Sequence, residues 1–192
     1  MAKRVRAYVG LGANIGDARR TLANATRALA ALPGARLREV SPLYRTAPVG
    51  VTDQPDFLNA VAALDVPAGP DPETGALAFL AALKSLEFAL GRRPTRRWGP
   101  RVIDLDLLIF GRHRISVERD GTWLQVPHPE AAERLFVLAP LSDLAPGLRP
   151  PGWSQTVESQ RTQIAADQSG AVQRVGPWDE KILSWVEPGS PS

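Results

Sequence analysis

The chain switches between two hydrophobic periods. Residues 4–11, RVRAYVGL, place apolar side chains in strand fashion and predict a first strand. GANIGD follows as a glycine and asparagine turn. Over 17–32, Leu22, Ala25, Leu29 and Leu32 recur at helical spacing behind Asp17, a capping residue, and Pro33-Gly34 ends the run. Residues 35–45 alternate as a strand, with Pro42 marking an edge or a bulge because proline offers no N–H to a neighbour. A proline-rich loop covers 46–56, and 57–66 reads as the next strand. PAGPDPE then turns the chain, and Pro72-Glu73 opens a second helix that runs to about Leu90. GRRPTRR is a basic loop, VIDLDLLIFG a strand, and 122–126 a further short strand. VPHPEAAERLFVLAPLSDLAP reads as a loop feeding a helix. Beyond about Pro146 the pattern fades, leaving Trp153, Trp178 and Trp185 among polar residues and a PGSPS tip expected to be disordered.

The order β-α-β-β-α-β implies an α+β fold, a ferredoxin-like antiparallel sheet with additional helices and with its apolar face buried under helices. Residues 1–148 are expected to form the functional domain, and 149–192 an extension packed on it. No internal repeat divides the chain.

Composition narrows the chemistry. A chain of 192 residues is long enough to bury a core without staples. It has no cysteine, which excludes disulfides, thiolate zinc sites and cysteine nucleophiles. MAKRVRAYVGLG has no long apolar run before a cleavage site, and no stretch approaches the ~18 apolar residues of a membrane span. A cytoplasmic protein, with no membrane partner, is therefore expected.

The net charge is only +3, but the cations are concentrated. The lysines are Lys3, Lys84 and Lys181, and five of the ten residues from Arg92 to Arg101 are arginine. The planar guanidinium fork suits phosphate oxygens. Directly after this run come Asp104 and Asp106 in an otherwise apolar strand. Side chains alternate across a strand, so both carboxylates point to one face. Two like charges that close repel, and burial worsens the repulsion unless something compensates. Divalent cations do so directly, and magnesium, a hard ion that accompanies nucleotide phosphates, fits two carboxylates. Carboxylates for metal beside guanidiniums for phosphate is the charge arrangement of phosphoryl transfer.

Other stretches carry less. GLGANIGD at 10–17 is spaced one residue too long for a dinucleotide fingerprint and reads as a tight strand-to-helix turn. No GxxxxGK[ST] phosphate loop exists, and no Ser-His-Asp arrangement can be argued. The only histidines are His113 and His128, the latter pinned between prolines in VPHP. Phe57 and Phe136 read as core aromatics, whereas Trp98 stands in a loop beside charges, where a core role is less natural.

Four segments together carry a resemblance: YVGLGANIGD (8–17), SPLYRTAPVGVTDQPDFLNAV (41–61), GRRPTRRWGPRVIDLDLLIFG (91–111) and VPHPEAAERLFVLAPLSDLAP (126–146). Over about residues 5–148 the chain resembles the 6-hydroxymethyl-7,8-dihydropterin pyrophosphokinases of folate biosynthesis. The RWGPR-x-x-D-x-D block with DQPxFxNA upstream is the specific part. The resemblance implies transfer of the β,γ-diphosphate of ATP, as one unit, to the pterin's hydroxymethyl oxygen, with AMP released. It implies two magnesium ions held by Asp104 and Asp106, and ATP as co-substrate. It implies Arg92 and Arg101 on the phosphates, with Arg93 and Arg97 assisting, and Lys84, Glu87, His128 and Arg134 at the nucleotide. It implies a pterin slot of Thr46, Ala47, Val49, Gly50, Phe57, Asn59 and Phe136, with Trp98 on a loop closing over it. A flat bicyclic ring suits stacking between Phe57 and Phe136, and Asn59 offers a donor and an acceptor to the ring's amide edge. Its partners would be these two small molecules, not nucleic acid, and it would act as a monomer.

Departures from the family's familiar form touch nucleotide contacts more than chemistry. Phe57 stands for a tyrosine and Ala47 for a proline, the basic loop is one residue shorter, and Trp123 and Pro129 replace an arginine and a tyrosine. Two other classes stay open on the sequence alone. A ferredoxin-like nucleic-acid module would use the basic balance and stack bases on sheet aromatics, although paired aspartates on its face would repel phosphates. A non-catalytic relative acting as a partner protein is the third, against which the intact Asp104, Asp106, Arg92 and Arg101 argue.

Overall fold

A computed structural model describes residues 3–48, 53–93, 99–119, 121–167 and 172–187. In chain order the strands and helices are β1 (Arg4–Ala13), α1 (Ala18–Ala30), β2 (Arg36–Val40), β3 (Leu43–Thr46), β4 (Phe57–Pro67), α2 (Pro72–Ala89) and β5 (Asp104–Phe110). There follow β6 (Ile115–Arg119), β7 (Thr122–Val126), α3 (Leu135–Leu144), α4 (Val157–Asp167), β8 (Val172–Gly176), β9 (Trp178–Asp179) and β10 (Ser184–Trp185). A single 3-10 turn, Ala131–Glu133, precedes α3.

The main sheet runs β5-β1-β4-β3-β8, with β2 also on β4, and every pairing in it is antiparallel. Local chemistry fixes the helices that cover it. Asp17 caps α1 by accepting the Arg20 N–H at 3.0 Å, and Leu22, Ala25 and Leu29 bury the helix face. Asp71 caps α2 by accepting the Thr74 N–H at 2.9 Å, with Pro72 in the first turn, where its missing N–H costs nothing. Gly75 lies so close to the Ala68 carbonyl that a Cβ would sit 2.1 Å from its oxygen, so only glycine allows α2 to enter there.

The two sheet faces differ. Val9, Leu11, Ala60, Ala62, Leu64, Leu105, Leu107 and Phe110 join Leu22, Leu29, Phe79 and Leu83 of α1 and α2 in one large apolar core. Tyr8, Val61, Ala63 and Leu108 face the other way and pack on Leu138 and Leu141 of α3 and on Val157 of α4. The expected helices on one face thus become helices on both faces, because α3 and α4 bring an apolar surface of their own.

Strand 35–45 is broken in two. Ser41 leaves the ladder ahead of Pro42, its Oγ accepts the Val61 N–H at 2.9 Å, and its own N–H reaches the Val61 carbonyl at 2.9 Å. Side-chain and backbone atoms together satisfy the groups that a break would orphan. The edge expected near Pro42 is covered in part, since β8 pairs with β3. The β6–β7 hairpin has only Ile115, Val117, Leu124 and Val126 turned inward, and its first strand was too short in apolar signal to be read from the sequence. No helix among the described residues is long and apolar enough to cross a membrane.

Candidate active site

Register, more than any single residue, builds the site. Reading across the sheet, Arg174 of β8 stands opposite Tyr44 of β3, Tyr44 opposite Asn59 of β4, Asn59 opposite Gly12 of β1, and Gly12 opposite Asp104 of β5. Cross-strand partners share a face. The next pair along β5 sets Asp106 opposite Gly10. Both aspartates therefore look out over glycines. A Cβ on Gly12 would lie 3.2 Å from the Asn59 Oδ1, so a side chain there would fill the space between Asn59 and Asp104. The expectation that GLGANIGD is a turn is corrected at this point. β1 continues through Ala13, Gly10 and Gly12 are strand residues, and only Gly16, at φ 64°, makes the turn.

Two guanidiniums converge on Asp104, and a second pair of charges stands behind them. Arg92 Nη1 donates to Asp104 Oδ1 at 2.6 Å, and Arg101 Nη1 donates to Oδ2. Arg92 also donates to Glu87 Oε1. Glu87 is buried, and its Oε1 accepts the Leu105 N–H at 2.7 Å and the Lys84 ammonium at 3.1 Å, while Lys84 also reaches the Leu105 carbonyl at 3.2 Å. β5 ends the sheet, so its outward groups at Leu105 have no neighbouring strand, and α2 supplies side chains instead. Glu87, expected at the nucleotide, has its carboxylate behind Asp104, where it carries Arg92.

Electrostatics follow burial. Burial pushes the Asp106 carboxyl up, and Asp104 adds to it, against Lys84, His128 and Arg101. Burial likewise pushes Glu87 up, against Lys84, the Leu105 N–H and Arg92. Burial works against the Arg92 charge, yet Asp104 and Glu87 outweigh it and hold the guanidinium above its ordinary value. Burial pushes His128 down, with Asp106 opposing. His128 Nδ1 accepts the Glu130 N–H at 3.3 Å, which assigns the ring proton of the neutral form to Nε2.

The pterin-slot residues divide. Asn59 and Thr46 meet, the Asn59 amide donating to Thr46 Oγ1 at 2.8 Å, with both buried. Phe57 starts β4 on the same face, half-buried, opposite Thr46. Phe136 lies in the first turn of α3, half-buried, with the Arg134 guanidinium 5.6 Å over its ring. Ala47 is exposed. Arg93 turns away from the carboxylates, its guanidinium 5.3 Å over the Phe88 ring, and Arg134 pairs with Glu130. Val49, Gly50, Arg97 and Trp98 lie outside the described residues.

One participant was missed. Asn14, buried, donates to Gln54 Oε1 and to the Pro55 carbonyl, both at 3.0 Å, and accepts the Arg101 N–H at 2.7 Å. Its own N–H returns to the Arg101 carbonyl at 3.0 Å. It joins the loop before Phe57 to the turn that carries Arg101. The usable signal was spacing, since Gly10, Gly12 and Asn14 follow at period two along β1 towards the diacid.

The carboxylates suit a hard divalent cation. Among the described residues no three His, Asp or Glu side chains converge as a metal cage. Magnesium needs none, since it is bound through one or two carboxylates plus substrate phosphates and water. A groove of about 440 Å³ lined by Asp71, Glu73, Arg112, His113 and Ser116 lies at the opposite end of α2, roughly 20 Å from Glu87 along the helix axis, and takes no part.

The family model for 7,8-dihydro-6-hydroxymethylpterin-pyrophosphokinase (HPPK) matches residues 8–146. The chain belongs to the HPPK family. It is 46% identical to the 2-amino-4-hydroxy-6-hydroxymethyldihydropteridine pyrophosphokinase of Pseudomonas aeruginosa over 146 residues, 76% of this chain and 84% of that one. The HPPK of the same name from Methylorubrum extorquens is 48% identical over 143 residues, 74% of this chain and 84% of that one. The one from Bacillus subtilis is 38% identical over 175 residues, 91% of each. Among solved structures, a Plasmodium falciparum HPPK-DHPS matches with a TM-score of 0.74 at 14% identity, over 97% of this chain. This chain spans 50% of that one, and at this identity the likeness concerns the fold alone.

Proposed function

We propose that this chain is a 2-amino-4-hydroxy-6-hydroxymethyldihydropteridine diphosphokinase of folate biosynthesis. It moves the β,γ-diphosphate of ATP to the hydroxymethyl oxygen of 6-hydroxymethyl-7,8-dihydropterin. That oxygen attacks the β-phosphorus and loses its proton, the bond from the β-phosphorus to the bridging oxygen of AMP breaks, and AMP leaves with that oxygen. Membership of the family carries this reading, and the row from Asn59 over Gly12 to Asp104 supports the division of labour within it. Family membership argues against the nucleic-acid alternative, and the intact Asp104, Asp106, Arg92 and Arg101 argue against a non-catalytic relative.

Asp104 and Asp106 would hold two magnesium ions. Bound there, magnesium would neutralise charge on the triphosphate and on the carboxylates. In the structure Arg92 and Arg101 occupy the Asp104 oxygens, and with Asp104 engaged as a metal ligand their guanidiniums would be available to phosphate. Neutral His128 offers an Nε2–H to the nucleotide, with Lys84, Arg93, Arg97 and Arg134 as further cations around it. Glu87 acts from behind, fixing Arg92. Thr46, Ala47, Val49, Gly50, Phe57, Asn59 and Phe136 form the pterin slot, and Trp98 closes over it and excludes water. Positioning and fixed charge supply the catalysis.

We read the core as ferredoxin-like, since β5-β1-β4 followed by the broken β2/β3 strand, with α1 and α2 on one face, has that order. We assign catalysis to residues 1–148 of a cytoplasmic monomer that takes ATP and the pterin as its small-molecule partners. The test is nucleotide chromatography of protein, ATP, magnesium and the pterin alcohol. AMP formed only with pterin present is expected; ADP, or no turnover by folded protein, would overturn the assignment.

A further inference from the structure

The family match ends at residue 146, yet the segment beyond it reaches the site. β8 lies against β3 with Val172 opposite Thr46 and Arg174 opposite Tyr44. Thr46 is the residue whose Oγ1 receives the Asn59 amide. β3 is only four residues long and stands between β4 and β8, so its register depends on both neighbours. On the β4 side the ladder covers just Tyr44 to Thr46.

β8 is itself anchored at a distance. Trp185 is 2% exposed, joins the large core, and donates its indole N–H to the Ser41 carbonyl at 2.8 Å, at the break that starts β3. Trp178 meets it edge to face, with 4.7 Å between ring centroids. Gly176 lies where a Cβ would come 2.0 Å from the Val186 carbonyl oxygen, so the end of β8 and the Trp185 segment touch backbone to backbone. Arg19 of α1 binds the Trp185 carbonyl at 3.3 Å and Glu187 at 3.1 Å, and Arg27 binds the Leu183 carbonyl at 3.1 Å. Two ends of one arm therefore grip β3, Trp185 at the Ser41 break and β8 along Tyr44 to Thr46.

We infer that the C-terminal arm, β8 with its Trp185 anchor, positions the pterin slot by holding β3 in register so that Thr46 keeps Asn59 oriented toward the ring. Gly176, Ser41 and Trp185 act as positioning residues, through Thr46. The inference rests on the proposed pterin role of Asn59 and Thr46. A merely structural arm would set thermal stability without distinguishing the two substrates, whereas a positioning arm affects the pterin alone, because ATP is assigned to the β5 side of the sheet.

The experiment is calorimetric titration of the full chain with 6-hydroxymethylpterin and, separately, with a non-hydrolysable ATP analogue in magnesium. Gly176→Ala pushes the arm off by its new Cβ. Trp185→Phe keeps an aromatic ring in the core while removing the N–H from the Ser41 carbonyl, and it decides the matter should Gly176→Ala fail to fold. Asn59→Ala tests the slot itself. The expected result is a pterin Kd weakened about tenfold, ~1.4 kcal/mol, in the arm variants, with the Kd of the ATP analogue within about twofold of the parent. Unchanged pterin affinity in a folded arm variant, or parallel loss for both ligands, overturns the inference. Unchanged pterin affinity in Asn59→Ala overturns the slot reading instead.

Discussion

Asp106→Asn should inactivate the enzyme and make the ligand-free protein more stable. Asp104 and Asp106 stand two residues apart on one face of β5, about 7 Å from Cα to Cα at strand spacing. Two unit charges at that separation repel by about 2 kcal/mol at an effective permittivity near 20. Arg92 and Arg101 on Asp104 offset part of this, while partial burial of Asp106 adds a desolvation cost of its own. The net relief on removing the charge is about 1–2 kcal/mol, which for a domain of this size raises Tm by about 2–8 °C. Burial lifts the folded-state pKa of Asp106 above its unfolded value, so the folded chain binds that proton more tightly than the unfolded one. The penalty is then complete above the raised pKa and fades as pH falls through it towards about 4. Calorimetric scans of parent and variant without magnesium, from neutral to acid pH, should show a Tm gap that closes on acidification. Turnover should fall by about 10³-fold in the AMP assay, the scale on which one preorganised electrostatic contact acts. A variant less stable than the parent at neutral pH, or one that retains turnover, would refute the reasoning.

Three further substitutions separate the parts of the site. Glu87→Ala leaves the Leu105 N–H without its buried partner and removes one ion pair each from Lys84 and Arg92, and should cost about 1–3 kcal/mol in urea unfolding, with turnover reduced as Arg92 loses its support; a loss below about 0.5 kcal/mol would contradict that account. Asn14→Ala removes three side-chain hydrogen bonds, to Gln54, Pro55 and Arg101, and should cost about 2–3 kcal/mol while lowering kcat, read from urea unfolding and steady-state kinetics. Gly12→Ala sets a methyl 3.2 Å from the Asn59 Oδ1, so the pterin KM should rise with Tm little changed, and an unchanged KM would mean that Asn59 does not face the ring.

Legibility followed periodicity. The first helix was visible from its strong apolar period and its punctuation at Asp17 and Pro33-Gly34, the 57–66 strand from its near-continuous apolar run, and the second helix from its opening at Pro72. The diacid strand was visible for the opposite reason, since two acids in an apolar run break the rule that buried charge must be compensated. The split of 35–45 into β2 and β3 was half visible: Pro42 announces an interruption, but the Ser41 side chain and the distant Trp185 that make it tolerable are tertiary. α4 and β8 escaped because a polar segment with few apolar residues gives no period to read, and their order is tertiary, α4 packing on α3 through Val157 and β8 pairing with β3 beside the Trp185 anchor at Ser41. Asn14 and the strand glycines escaped because glycine and asparagine normally signal turns. Only the facing strands reveal that these small residues keep space free beside Asp104 and Asn59.

The placement of charge at a sheet edge explains why α2 and the site cannot be separated. An edge strand presents unpaired N–H and C=O groups that ordinarily meet water or another chain. β5 is such a strand and also carries both carboxylates. Water at Leu105 would satisfy the backbone but would also raise the local permittivity and weaken the hold of Arg92 on Asp104. Glu87 and Lys84 satisfy the same backbone groups with fixed charges, and the Glu87 oxygen that accepts the Leu105 N–H also accepts Arg92. Edge protection and carboxylate orientation are therefore one network. Groups sharing one network do not contribute independently. The combined Glu87→Ala, Arg92→Ala variant should accordingly lose less stability than the sum of the two single losses, because either single change already breaks the Arg92–Glu87 pair, while a surviving Arg92 keeps Asp104 and a surviving Glu87 keeps Lys84.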